Sequence, residues 1–236
     1  MRGTLDELTA MWQAEGVEFR GKQFDWAPLV FELIRHPSLQ TLASFKKGLF
    51  YLQDPSALLA PKELGARAGE SILDLCSAPG GKTTYIAQLT SNQAAIVAED
   101  IQPKRLALVK ENAERLGAKI EFGPAATDRL FDRILIDAPC SNTGVLRRRV
   151  DLRWRLKETE IARLASTQQK LLDQAARRLK PGGTILYSTC SIEPEENQQV
   201  VQTFLQSQPN LRLDFERELI PHRDQVDGAY VARLAS

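Results

Sequence analysis

The chain of 236 residues is 43% hydrophobic and 26% charged, with a net charge of +1, enough for one large core or two modest ones. No run reaches the roughly 18 apolar residues of a membrane helix, and Asp6, Glu7 and Glu15 near the start break the basic-then-apolar layout of a signal peptide. A cytoplasmic monomer without a resident metal is expected: the three cysteines are widely spaced, which fits reduced thiols and offers neither a disulfide framework nor zinc-ligand spacing. A charge this close to zero neither demands nor forbids nucleic acid, so any phosphate-binding surface must be local.

Residues 1–66 read as a small α-rich cap. Leu5–Trp12 and Trp26–Ile34 read as short helices, Phe45–Leu52 as an extended piece, and Pro55–Leu64 as a helix leading into the main domain at 67–236. From about 67 to 200, strand and helix alternate. Ser71–Leu75 is a strand, Gly81–Leu89 a helix and Ala95–Ala98 a second strand. Gln102–Leu116 carries Leu106, Val109, Ala113 and Leu116 at helical spacing and stops at Gly117. Lys119–Phe122 and Arg133–Ile136 are short strands, Ile161–Leu179 is a long amphipathic helix halted by Lys180-Pro181-Gly182-Gly183, Thr184–Ser188 is a strand and Glu195–Gln206 a helix behind Pro194. This is the α/β pattern of a mostly parallel, doubly wound, Rossmann-like sheet.

Three of the apolar runs end in chemistry. Ile72-Leu73-Asp74-Leu75 leads into Cys76-Ser77-Ala78-Pro79-Gly80-Gly81-Lys82, Ile134-Leu135-Ile136 into Asp137-Ala138-Pro139-Cys140, and Ile185-Leu186-Tyr187 into Ser188-Thr189-Cys190. In an open α/β sheet, the carboxyl ends of the strands are where ligands bind. The glycine turn is not a Walker loop, because the leading glycine would fall on Cys76, and it lacks Gly-x-Gly-x-x-Gly. An ordinary tight turn is one reading of Gly80-Gly81. The other is an adenosine site whose ribose hydroxyls bond Asp100 at the end of the next strand, with S-adenosylmethionine the commonest such cofactor.

A free cysteine is ordinarily a small buried hydrophobe, but two thiols at strand ends suit a demanding alkylation. C5 of cytosine is unactivated until a thiolate adds to C6. A second thiolate beside the ring can then take the C5 proton, and a carboxylate such as Asp137 can bond N4 or N3.

Asp74-Leu75-Cys76-Ser77-Ala78-Pro79-Gly80-Gly81-Lys82-Thr83, Asp137-Ala138-Pro139-Cys140-Ser141-Asn142-Thr143-Gly144 and Ser188-Thr189-Cys190-Ser191-Ile192-Glu193-Pro194-Glu195-Glu196-Asn197 together resemble the Sun/Rsm family of RNA cytosine-5 methyltransferases. Gln53-Asp54-Pro55-Ser56 and Asp227-Gly228-Ala229-Tyr230-Val231-Ala232 extend the resemblance more weakly. It implies a class I methyltransferase acting on RNA, ribosomal RNA first and tRNA as an alternative. It also implies Cys190 as nucleophile, Cys140 as the residue that assists product release, and a cofactor pocket formed by residues 76–82 with Asp100 and Asp137. DNA cytosine methyltransferases use the Pro-Cys thiol as nucleophile, so the reverse assignment stays open, as do a DNA substrate and a noncatalytic RNA-binding module.

Two departures from the family pattern stand out. Where members carry a Gly-Asp pair facing the adenine amine, this chain has Phe122-Gly123-Pro124-Ala125-Ala126-Thr127 and no acid before Asp128. The bacterial ribosomal members also carry a helical RNA-binding domain ahead of this core, so the chain is expected to be a compact member or a piece of a longer protein. RNA contact is then expected from Arg147, Arg148, Arg149 and Arg153, with Arg155, Lys157, Lys46 and Lys47 nearby and Trp154 able to stack or to pack. A solvated basic loop is the plainer alternative. The target cytosine would have to be single-stranded or flipped out.

Overall fold

The computed structural model describes residues 2–236 apart from the side chain of Arg155. Helix α1 (Leu5–Ala14) is followed by a hairpin of β1 (Glu18–Phe24) and β2 (Ala27–Arg35), the short helix α2 (Ala43–Lys46), a 3-10 turn at Pro55–Leu58 and α3 (Leu59–Leu64). The helix expected over Trp26–Ile34 is therefore strand β2, and the N-terminal segment is not purely helical. A short apolar run does not distinguish the two periods by itself. Pairing with β1 decides the matter, because Phe19↔Leu33 and Gly21↔Phe31 carry Phe19, Phe31 and Leu33 onto one aromatic cluster. Trp12 is its centre, with ring centroids 5.0 Å from Phe19, 5.5 Å from Phe31 and 5.2 Å from Phe50, in the tilted and edge-on geometries that aromatic pairs favour.

The main sheet begins with β3 (Ser71–Asp74), α4 (Gly81–Leu89), β4 (Ala95–Ala98), α5 (Pro103–Leu116), β5 (Glu121–Phe122) and β6 (Phe131–Asp137). It continues through α6 (Leu152–Arg155), α7 (Glu158–Arg177), β7 (Leu179–Thr189), α8 (Gln198–Ser207), β8 (Arg212–Leu219), α9 (Pro221–Asp224) and β9 (Ala229–Ala235). The Lys180–Gly183 stretch does not follow the long helix directly: α7 ends at Arg177, and Pro181-Gly182-Gly183 forms an irregularity at the start of β7, where the β6 register jumps from Phe131↔Leu179 to Arg133↔Thr184.

Strand order is β5-β4-β3-β6-β7-β9-β8. The first five strands are parallel, and β9 and β8 close the sheet antiparallel. Leu73, Ile134, Ile136, Ile185 and Tyr187 fill one face of the sheet, and Ile72, Leu135, Leu186 and Val231 the other. A strand buried on both faces reads as a continuous apolar run. The winding direction reverses between β3 and β6, which opens a crevice at their carboxyl ends.

Candidate active site

The crevice holds a cavity of about 210 Å³ lined by Cys76, Ser77, Ala78, Pro79, Gly81 and Lys82 from the β3–α4 turn, by Asp74 and Asp137 from the strand ends, and by Tyr51, Leu52, Gln53 and Ala57 from the N-terminal segment. A larger apolar groove of about 310 Å³ shares Tyr51, Leu52, Gln53 and Gly81 with it but holds none of the acids or thiols, so the smaller one is the candidate cofactor pocket, and Cys140 and Cys190 lie outside its lining. Gly80 stands at φ +105°, a left-handed conformation that suits glycine, and its carbonyl accepts from Thr84 N–H to open α4. Asp74 is fully buried, accepting from the Thr83 hydroxyl at 2.6 Å and from Cys76 N–H at 3.3 Å. Burial pushes its pKa up to about 7, with the charge of Asp137 adding to the rise and the Thr83 hydroxyl opposing it. Burial likewise drives the Cys76 thiol well above its ordinary value, with Asp74 and Asp137 reinforcing it. Cys76 is thus a neutral wall of the cavity.

Asp100 lies just beyond β4, its side chain almost wholly covered, and caps the following turn by accepting from Gln102 N–H at 2.9 Å. Arg105 links it to the glycine turn, with Nη1 3.8 Å from Asp100 Oδ2 and Nη2 donating to the Ala78 carbonyl at 3.1 Å. The Gly123–Thr127 stretch is organised by Glu99, a residue that sequence reasoning passed over. Glu99 accepts from Ala125 N–H at 2.9 Å and pairs with Arg178 at 3.0 Å, whereas Asp128 is exposed. Its position at a strand end beside Asp100 was the available signal.

The thiols meet at the ends of β6 and β7. Cys140 Sγ and Cys190 Sγ are 3.1 Å apart, Cys190 N–H donates to Cys140 Sγ at 3.3 Å, and Asn142, in the left-handed region, places Oδ1 2.9 Å from Cys190 Sγ. Cys140 is buried and Cys190 half-buried. Lys82 Nζ pairs with Asp137 Oδ2 at 2.5 Å, and Ser188 Oγ donates to the other carboxylate oxygen at 3.0 Å. Burial disfavours the Lys82 ammonium, but Asp137 outweighs it and raises the pKa. The hydrogen bond between the sulfurs splits the pair. It draws the Cys190 pKa below its ordinary value, with the Lys82 charge in support and burial and Asp137 opposing, and together with burial it lifts Cys140 well above. Of the two thiols, Cys190 is thus the one favoured to ionise.

Buried polar groups lock the two cysteine loops together. Glu196, fully buried, accepts from Ser141 N–H at 2.9 Å, from the Ser141 hydroxyl and from Gln168 Nε2 at 3.2 Å. Asn197 donates to the Ser191 carbonyl at 2.9 Å and accepts from Thr189 at 2.6 Å. Gly144 N–H donates to the Cys190 carbonyl at 3.0 Å, and a Cβ on Gly144 would stand 2.5 Å from the Gly228 carbonyl oxygen. Only glycine permits that approach.

The basic run divides. Arg147 and Arg148 both reach Asp54, at 2.7 and 2.8 Å, and both pair with Asp227, whose N–H donates to Asp54 at 3.0 Å. This four-charge cluster ties the Cys140 loop to the N-terminal segment and to the start of β9. Arg149 pairs with Asp151 at 3.4 Å and stays exposed, as do Arg153, Trp154 and Lys157. The Arg155 side chain lies outside the described residues. Among the described residues no helix is long and apolar enough to cross a membrane and no metal-binding cluster occurs.

The architecture and motif order have known counterparts. The family model described as 16S rRNA methyltransferase RsmB/F matches residues 58–235. Ribosomal RNA small subunit methyltransferase B of Enterobacter sp. (strain 638) is 38% identical over 98% of this chain, which spans 57% of that protein. A methyltransferase homologue from Pyrococcus horikoshii superposes with a TM-score of 0.83 at 30% identity, over 99% of this chain and 83% of that one. NSun6 from Pyrococcus horikoshii, solved with SFG, gives 0.77 at 30% identity over 88% and 59% of the two chains. The chain belongs to the 16S rRNA methyltransferase RsmB/F family.

Proposed function

We propose that this chain is the catalytic core of an S-adenosylmethionine-dependent methyltransferase that makes 5-methylcytosine in RNA, with ribosomal RNA as substrate, through a covalent bond between Cys190 and C6. The observation that carries this reading is the 3.1 Å contact between a half-buried thiol of lowered pKa and a buried thiol of raised pKa, beside the Lys82–Asp137 pair. The name of the Enterobacter relative supports the RNA class.

The cavity fits the cofactor. Lys82 with Asp74 and Asp137 suits a zwitterionic amino-acid tail and a positive sulfonium, and Asp100, outside the cavity lining just beyond β4, is the acid assigned to the ribose hydroxyls. When bound, S-adenosylmethionine supplies an electrophilic methyl group.

The chain's own groups do the rest. The Cys190 thiolate adds to C6, forming the S–C6 bond and moving the electron pair of the C5–C6 double bond onto C5, which is then able to take the methyl group. Asp137 accepts a hydrogen bond from the cytosine N4 amine and so holds the ring over the thiolate. With its sulfur bonded to C6, Cys190 no longer accepts from Cys140, which loses its proton to solvent and, as thiolate, removes the C5 proton. The C5–H electrons restore the double bond, the S–C6 bond breaks, and Cys190 leaves as thiolate. Cys140 keeps the proton taken from C5, exchangeable with water, and is again the thiol beside the Cys190 thiolate. The target base must leave any stack for a thiolate to reach C6. Tritium at C5 of cytosine in RNA should be released to water in step with methyl incorporation. Methyl incorporation without tritium release would reject C5 as the target.

A further inference from the structure

We propose that Trp154 is a stacking platform for an unpaired RNA base flanking the target cytosine, an inference that rests on the RNA reading above. The three tryptophans fall into two classes. Trp12 and Trp26 are 2% and 4% exposed and sit in apolar clusters, whereas Trp154 is 90% exposed on the four-residue helix α6. Leaving an indole almost wholly in water forgoes the burial that places the other two in cores.

Its surroundings fit a polyanion. Arg149, Arg153 and Lys157, all exposed, bracket it in the chain, so phosphates and a base face can be met on one short segment. The segment is also moored to the active site. Trp154 lies six residues past Arg148, which is held by Asp54 and Asp227, so it is within about 20 Å of that anchor even if the chain were fully extended. The loop carrying Arg148 begins at Cys140 and is fastened to the Cys190 carbonyl through Gly144 N–H. A base on Trp154 would therefore belong to the strand that delivers the cytosine.

Stacking and phosphate contact leave different signatures, which makes the proposal testable with a single-stranded RNA oligonucleotide containing one cytosine. A red-shifted, iodide-quenchable component of the native chain's fluorescence is expected to come from Trp154, because the other two indoles are covered. RNA is expected to quench that component and shield it from iodide. Trp154→Ala should weaken RNA binding about tenfold with an unchanged log–log salt slope, and Trp154→Phe should recover part of the loss. The melting temperature should not move, since the side chain packs on little. Wild-type RNA affinity in a folded Trp154→Ala protein would overturn the platform while leaving the RNA reading intact. Absence of RNA binding by the wild-type chain would overturn both.

Discussion

The sulfurs of Cys140 and Cys190 stand 3.1 Å apart although 50 residues separate them in the chain. Parallel neighbours β6 and β7 end side by side, with Asp137 opposite Ser188, and the loops that follow are fastened through Glu196 and Asn197. Two chemically identical side chains thereby acquire different pKa values, Cys190 drawn below the ordinary thiol value and Cys140 lifted above it.

Lys82 is expected to sustain that difference. Its charge lowers the Cys190 pKa while Asp137 raises it, so Lys82→Gln should leave the carboxylate uncompensated and shift the thiol upward. The pH profile for alkylation of Cys190 by iodoacetamide, followed by peptide mass spectrometry, should move to higher pH. An unmoved profile would separate Lys82 from thiol activation.

Asp100→Ala should weaken S-adenosylmethionine binding by about 1–3 kcal/mol, the range for leaving a buried polar partner unpaired. Calorimetry on the folded variant provides the check, and unchanged affinity would remove Asp100 from the ribose site.

Asp74 carries a pH signature. Its folded pKa of about 7 exceeds the unfolded value of 3.8, so the folded chain holds a proton that the unfolded chain releases, and the stability this contributes is lost as pH rises from about 4 to about 7. Asp74→Asn removes that loss. The melting temperature of the variant should gain on the wild type across this window and stay level above it, and parallel curves would contradict the burial argument.

The arginine run should separate into two functions. Arg149→Ala is expected to reduce the log–log salt slope of RNA binding by about 0.7, the release for one single-strand phosphate contact, without loss of stability. Arg148→Ala should instead destabilise the fold by about 1–3 kcal/mol, because Asp54 and Asp227, 10% and 6% exposed, lose a charged partner. Equal stability of the two variants would remove the structural role assigned to Arg148.

The parallel core was legible because strands buried on both faces write continuous apolar runs, so Ala95–Ala98 could be placed to the residue. The hairpin was not: Trp26–Ile34 has helical as well as strand character, and only its pairing with β1, a tertiary fact, decides. The antiparallel strands β8 and β9 were passed over for a similar reason, since β8 mixes Arg212, Asp214, Glu216 and Arg217 among its apolar residues on a sheet edge. At the site, strand-end position marked Cys140, Cys190, Asp137 and the glycine turn. Sequence could not show that Lys82 faces Asp137, that Glu99 organises the Gly123–Thr127 stretch or that Arg147 and Arg148 are held by distant carboxylates, because each depends on a partner brought in by the fold.

The most direct test of covalent catalysis is a denaturing gel of wild type, Cys140→Ala and Cys190→Ala incubated with RNA and S-adenosylmethionine. With Cys190 as nucleophile and Cys140 as base, Cys140→Ala adds to C6, accepts the methyl group and stalls before elimination, so a protein–RNA adduct should accumulate in that variant and be absent from Cys190→Ala and from the double variant. An adduct in Cys190→Ala that vanishes in Cys140→Ala would reverse the roles, and no adduct in any variant that binds RNA and cofactor would contradict the covalent mechanism.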